Sequence, residues 1–332
     1  MYNAYISGMG YYVPENVVTN HDLAKIIDTS NEWIIERTGI KERRHINQVN
    51  IGPSDLAIPA VENALSNANL SVNDIDLIVF ATSTPDYYAP GSGCLLQEKM
   101  GFPKIGALDI RMQCSGFIYG LSIAEQYIKS GTYENVLVVG SEVQSTALDL
   151  SKNGRDTAVI FADGAGAAVL SSTNDNQGIL SMKLRSEGKF AKELWVESPA
   201  SSNGFPRITK NDLEEGKQFL KMNGQTVFKL AIKYFPEIII ESLESINIST
   251  EDIDLLIPHQ ANIRIIQMVQ KKLGLSDDRV FANIEKYGNT TAASIPIAIC
   301  EALEQGRINK GDIIALAAFG SGFAWGSTII KW

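Results

Sequence analysis

Short apolar runs alternate along the chain with longer amphipathic stretches. Residues 77–80, 136–139, 158–161 and 167–170 are unbroken apolar segments of strand length, the pattern of strands covered on both faces. Residues 56–68 and 115–129 read as helices. Ser54 and Asp55 offer a cap for the first, and Gly131 a stop for the second. Strands and helices in alternation predict an α/β protein with both faces of its sheets covered.

The pattern also repeats. Asp74-Ile-Asp-Leu-Ile-Val79 returns 178 positions later as Asp252-Ile-Asp-Leu-Leu-Ile257, each copy entering an apolar strand. Gly140 and Gly320, each after a predicted strand, stand 180 apart. Two matches at nearly one offset predict a duplicated lobe, with halves 1–172 and 173–332 divided at the polar run 171–176. Residues 198–212, rich in Ser, Asn, Gly and Pro, read as a surface loop in the second half.

The duplication orders the candidate chemistry. Cys114 follows the strand-like residues 107–110 and opens a helix. A thiol there feels the positive end of the helix dipole, which lowers its pKa and favours the nucleophilic thiolate. His259 follows the repeated strand, and Asn289 precedes a helix 175 positions after Cys114. Such strand and helix ends are where a two-lobed α/β protein builds a site. The glycine-rich turn after residue 318 reads either as a tight turn or as backbone N–H groups aimed at an oxyanion. Taken one at a time, Cys114 also fits a buried small hydrophobe, His259 a structural histidine and Asn289 a helix cap.

Composition removes other classes. The 332 residues are 45% hydrophobic and 20% charged, ordinary for a globular chain with a sizeable core. A formal net charge of −9 disfavours nucleic-acid binding. Only Cys94, Cys114 and Cys300 are present, an odd and sparse set that points to a reducing compartment. No metal-ligand spacing surrounds His259. Residues 163–167 form only a faint dinucleotide-binding loop, with no helix opening behind it. No targeting segment and no apolar run near the ~20 residues of a membrane span is visible, so a cytoplasmic location without membrane contact is expected.

Together these motifs resemble the β-ketoacyl-acyl carrier protein synthase III family of the thiolase superfamily. The markers run nearly end to end: residues 30–40 with Trp33 and Arg37, Cys114-Ser-Gly-Phe117, residues 161–166, Pro258-His259-Gln-Ala-Asn262, Gly288-Asn289-Thr290, and residues 319–326. The resemblance implies a five-layered α-β-α-β-α fold of two related halves, in a homodimer. It implies that Cys114 takes an acyl group from acyl-CoA, and that His259 and Asn289 then act on malonyl-acyl carrier protein. Backbone N–H groups of Cys114 and Ser321 would hold the oxyanion of the acyl-cysteine intermediate. Trp33, Arg37, Arg155 and Asn262 match CoA-binding positions. Ala89 stands where some members carry a large aromatic at the acyl pocket. Lys229, Arg264, Lys271 and Lys272 would form the basic dock for the acidic carrier protein. No metal or cofactor is implied. The residues before Cys114, Arg111-Met-Gln113, are bulkier and more polar than the family's Ala-rich stretch. Two other readings stay open: acyl transfer or a specialised condensation through Cys114 on the same fold, and a non-catalytic partner subunit.

Overall fold

The computed structural model describes residues 3–332. The first sheet contains β1 (Asn3–Tyr12), β2 (Leu77–Ala81), β3 (Gly106–Ile110), β4 (Asn135–Glu142) and β5 (Gly164–Thr173), in the order β1-β5-β4-β2-β3. The second contains β6 (Gly178–Ser186), β7 (Leu255–Pro258), β8 (Ile313–Gly320) and β9 (Ala324–Lys331), in the order β7-β8-β9-β6. Strand β2 runs parallel to both β3 and β4, and β7 to β8; antiparallel pairs complete the rest of each sheet.

The repeated hexapeptide starts the parallel pair in each sheet. Ser71 and Ser249 each open a single 3₁₀ turn, and Asp74 and Asp252 accept from the backbone N–H of their serine. Asp76 then accepts from Asn135 N–H at 2.9 Å, and Asp254 from Ile313 N–H at 2.7 Å. Those bonds fix the register, Leu77 opposite Val136 and Leu255 opposite Ile314. The same register carries Gly140 onto Ala318, so the glycine match with Gly320 is two residues out of step.

Six helices frame the site: α1 (Asn31–Thr38), α2 (Pro53–Ala68), α3 (Gly116–Lys129), α4 (Gly224–Glu244), α5 (Ile263–Leu273) and α6 (Ser294–Glu304). Alternation along the strands sorts them into layers. Val79 and Val138 of one sheet and Ile257 and Leu316 of the other pack in one cluster with Leu121 of α3 and Ile299 of α6. Phe80 and Val139 face the other way, onto α2. Leu256 and Ala317 face α4 and α5. The order is α2, first sheet, α3 with α6, second sheet, α4 with α5: the five-layered α-β-α-β-α arrangement of the thiolase-like α/β class.

Two local expectations are corrected. Residues 158–161 are not a strand. Arg155–Ala158 is one helical turn, and the N–H groups of Ile160 and Phe161 bond back to Thr157 O. The apolar run is buried because Ala158 and Val159 pack in a satellite cluster with Leu23, Ile27 and Ile34. Periodicity alone cannot distinguish that from a sheet interior. Helix α2 begins before the expected cap: Gly52 is the N-cap, and Asp55, in the first turn, accepts from its N–H at 2.9 Å.

Candidate active site

The two central helices point their N-termini at one place. β3 leads into a 3₁₀ turn, Gln113–Ser115, just before α3; a second, Thr291–Ala293, precedes α6. Gln113 and Thr291 both hold a positive φ, 45° and 47°, which costs a non-glycine residue about 1–3 kcal/mol. The turns approach closely: a Cβ on Gly116, directly after the first turn, would lie 3.2 Å from Ala292 Cβ in the second, and one on Gly140 of β4 would lie 2.4 Å from Ala292 O. The positive ends of two helix dipoles therefore converge, a setting that favours developing negative charge.

Cys114 lies in the first turn and is only 7% exposed. It lines a cavity of about 680 Å³ together with Gln113, Thr291 and Ser321. Gly320 is required behind it, since a Cβ there would sit 2.9 Å from Cys114 Cβ. Neither Cys114 N–H nor Ser321 N–H donates to another backbone group among the described residues. Ser321 is fixed by its hydroxyl, which donates to Leu194 O. Leu194 belongs to a ribbon, Leu194–Val196 with Leu220–Met222, that walls the cavity along with Pro199. The segment read from sequence as a plain surface loop thus springs from a wall of the site.

Burial, and then the charge of Glu142, push the Cys114 thiol up to about 12. This reverses the expected direction. The dipole contribution of ~0.3–1 kcal/mol is less than one pKa unit and cannot offset it. The only hydrogen bond to Sγ among the described residues is from the Cys114 backbone itself, which lowers the pKa too little to offset burial. Glu142 itself is fully buried at the end of β4, accepting from Ser83 N–H at 3.0 Å and Thr84 Oγ1–H at 2.7 Å.

His259 follows β7 and is 1% exposed. Its Nδ1 lies 2.6 Å from Ser294 Oγ, at the start of α6, while its buried Nε2 has no partner. Burial lowers its pKa to about 3, so the ring is neutral at any physiological pH. Asn289 is held across the two halves: its N–H donates to Ile160 O, and its C=O accepts from Ala162 N–H. Its Oδ1 accepts from Thr291 N–H at 2.8 Å, which turns the amide so that Nδ2 carries the free donors. His259 and Asn289 are not on the cavity wall; Asn289 bonds to Thr291, which is, and His259 meets Ser294, three residues further on.

A second cluster assembles the other predicted contacts. Ser30 caps α1, and Arg37 and Arg155 place their guanidinium groups 4.8 and 4.5 Å from the Trp33 ring centre. Asn262 donates to Arg37 O at 2.8 Å. Ala89 is elsewhere: it is exposed and does not line the Cys114 cavity within this chain, although Tyr88 does. Lys229 on α4 and Arg264, Lys271 and Lys272 on α5 are all exposed, and none makes an ion pair among the described residues. No group of three His, Cys, Asp or Glu among the described residues could hold a metal ion.

Known proteins match this arrangement along its whole length. Residues 108–188 match the family described as 3-oxoacyl-[acyl-carrier-protein (ACP)] synthase III, and residues 243–332 match its C-terminal counterpart. The β-ketoacyl-[acyl-carrier-protein] synthase III of Caldanaerobacter subterraneus subsp. tengcongensis is 47% identical, over 98% of this chain and 97% of its own. The chain belongs to the β-ketoacyl-acyl carrier protein synthase III family. Among synthase III structures, that from Aquifex aeolicus VF5 superposes with a TM-score of 0.91 at 41% identity, covering 99% of this chain and 100% of its own. That from Thermus thermophilus gives 0.90 at 40% identity, covering 99% of each. Synthase III enzymes are acyltransferases of the condensing type.

Sequence reasoning passed over three parts of this synthase III site. Glu142 was visible as a lone acid ending an apolar strand. Ser294 was visible five residues after Asn289, within the same small-residue run. The Leu194 ribbon gave no sequence signal, since its role depends on folding over Ser321.

Proposed function

We propose that the chain initiates fatty-acid synthesis by condensing an acyl-CoA primer with malonyl-acyl carrier protein. The products are a β-ketoacyl-acyl carrier protein, CoA and CO₂. One observation carries the reading: Cys114 shares a cavity with two N–H groups that donate to no other backbone group among the described residues, its own and that of Ser321, beside the turn that orients Asn289.

Cys114 Sγ attacks the acyl-CoA carbonyl, and the two N–H groups receive the oxyanion. CoA leaves, and the thiol proton goes with it as CoA-SH. Malonyl thioester then binds and loses CO₂. The electron pair of the broken C–C bond moves onto the thioester oxygen, where His259 Nε2–H and Asn289 Nδ2–H hold it. The carbanionic carbon attacks the acyl-cysteine, and Cys114 leaves and regains a proton. Decarboxylation itself supplies the carbanion, so these steps need no cofactor or metal. A purine would stack on Trp33 in the place Arg155 now holds 4.5 Å from the ring centre, with Arg155 moving out to cover the base's other face, Arg37 on a phosphate and Asn262 on the pantetheine path. The halves 1–172 and 173–332 contribute Cys114 on one side and His259 and Asn289 on the other. The steps require only a soluble setting with malonyl-carrier protein, which fits a cytoplasmic enzyme; no helix among the described residues is long and apolar enough to cross a membrane. A primer panel with labelled malonyl-carrier protein tests the reading: CO₂ and β-ketoacyl product are expected together. Acylation of Cys114 with no CO₂ release would favour simple acyl transfer instead.

A homodimer completes the pocket in this reading. Among the described residues strand β3 pairs only with β2, leaving its outer edge open, and Leu108 on it is 38% exposed. Asp109 of β3 accepts from Ser92 and Gly93 N–H at 2.6 and 2.9 Å, which anchors to that strand the residues that directly follow the exposed 87–90 segment. A second copy docked on β3 would meet Ala89, which then bears on the partner's acyl pocket. Ala89→Phe should shift preference toward short primers, because apolar pockets discriminate by ~1–3 kcal/mol per methylene. An unchanged primer profile would remove Ala89 from the pocket.

Lys229, Arg264, Lys271 and Lys272 supply the carrier-protein dock. An acidic partner would be repelled by a net charge of −9 unless positive charge is concentrated where it binds. These four cations are exposed and free of acidic partners, and α5 directly follows Asn262. Arg264→Glu should weaken use of malonyl-carrier protein, most at low salt, and leave acylation by acyl-CoA little changed. Equal, salt-independent loss for both substrates would reject this face.

A further inference from the structure

We infer that Ser294 is a positioning residue that fixes the tautomer of His259, so that the imidazole presents Nε2–H to the reacting thioester. The inference rests on the condensing role assigned above to His259. It starts from hydrogen-bond accounting in a buried place. Ser294 Oγ has two neighbours, His259 Nδ1 at 2.6 Å and the Gln260 N–H at 3.4 Å. Gln260 N–H can only donate, so it takes a lone pair of Oγ. If Nδ1–H also donated, the hydroxyl would accept twice and its own hydrogen would have no acceptor. His259 Nε2 would then be a bare, buried lone pair as well. If Oγ–H donates to Nδ1, every group of Ser294 is matched. The one buried group left over is Nε2–H, and buried polar atoms without partners are rare unless something else meets them.

The second arrangement is the one the chemistry needs. A bare Nε2 lone pair would repel an enolate oxygen; Nε2–H attracts it. The ring cannot solve the problem by becoming doubly protonated, since burial keeps it neutral. The tautomer therefore decides whether His259 helps or hinders. Its control comes from the N-terminal residue of α6, five positions after Asn289. The His259 N–H is already engaged with Ala317 O at 2.8 Å, which fixes the backbone from which the ring projects. One short segment thus orients both donors: Thr291 N–H turns the Asn289 amide, and Ser294 Oγ–H turns the imidazole.

Ser294→Ala and Ser294→Thr, in the full-length enzyme, test this with two readouts. With ¹⁵N-labelled histidine, assigned against His259→Ala, the wild-type ring should give the Nε2–H pattern, and Ser294→Ala should lose or mix it. In single turnover, Ser294→Ala should lower condensation about 10–100-fold, the range typical for groups that orient a functional histidine. Acylation of Cys114 should stay within about twofold, and Ser294→Thr should restore both the NMR pattern and the rate. An Nδ1–H pattern in the wild type overturns the inference. So does condensation at the wild-type rate in Ser294→Ala, or a loss that falls equally on acylation and condensation. If His259→Ala itself condenses normally, the assigned role of His259 fails, a result distinct from any produced by the Ser294 variants alone.

Discussion

Cys114→Ser eliminates the acyl-enzyme. After incubation with acyl-CoA, intact-mass analysis should give a single acyl adduct on the wild type and none on the variant. The reason lies in the site's own electrostatics. Burial and Glu142 hold the Cys114 thiol high, at about 12, with no base bonded to Sγ. Attack therefore depends on a sulfur that is intrinsically nucleophilic and on the Cys114 and Ser321 N–H groups that await the oxyanion. Serine at this position would keep the N–H groups but offer a hydroxyl that is harder still to ionise and has no base to activate it. The same electrostatics set a pH dependence. In the substrate-free enzyme only the small thiolate fraction reacts with iodoacetamide. That fraction grows about tenfold per pH unit while pH stays below the pKa, so alkylation should climb steadily from pH 7 to pH 9. A plateau near pH 7 would mean the thiol is already ionised, against the effect of burial. An adduct that persists on the variant would move the nucleophile elsewhere.

His259→Ala and Asn289→Ala separate the two half-reactions. In the proposed mechanism each removes one donor to the enolate oxygen, and loss of one such donor typically costs 10²–10³ in rate, about 2.7–4 kcal/mol. Condensation by pre-acylated enzyme should fall by that factor, while acylation of Cys114 changes far less. The asymmetry follows from the proposed roles, in which the N–H groups of Cys114 and Ser321 meet the acylation oxyanion, and from the geometry, in which Sγ is bonded to neither His259 nor Asn289. The double variant should lose less than the product of the singles, because both donors meet one oxygen. The pH profile of condensation should have no limb near the ordinary imidazole range. A histidine lowered to about 3 stays neutral above that value, and its neutral N–H is the working form. Equal losses in acylation and condensation would reassign His259 to the acylation step.

The sequence by itself determined the features carried by neighbouring residues and by fixed offsets. The doubled Asp-Ile-Asp segment encodes a serine-capped turn and a carboxylate that starts a parallel strand, all within a few residues of each other, so both copies were legible. So were the placement of Cys114 just before a helix and the turn around Asn289, because helix ends and turns are written in local residue types. The tertiary structure decided whatever depends on who lies next to whom across the fold. Residues 158–161 are buried by a satellite cluster and not by a sheet, which an apolar run cannot reveal. The Cys114 pKa changed sign against expectation because desolvation and Glu142 outweigh a local dipole. Ala89 proved to be exposed and away from the Cys114 cavity of its own chain. His259 and Ser294 meet only because β7 and α6 pack together, and no spacing in the sequence encodes a 2.6 Å contact between residues 35 apart. Local conformation is a short-range property of the chain; burial, pKa and tautomer belong to surroundings that only folding assembles.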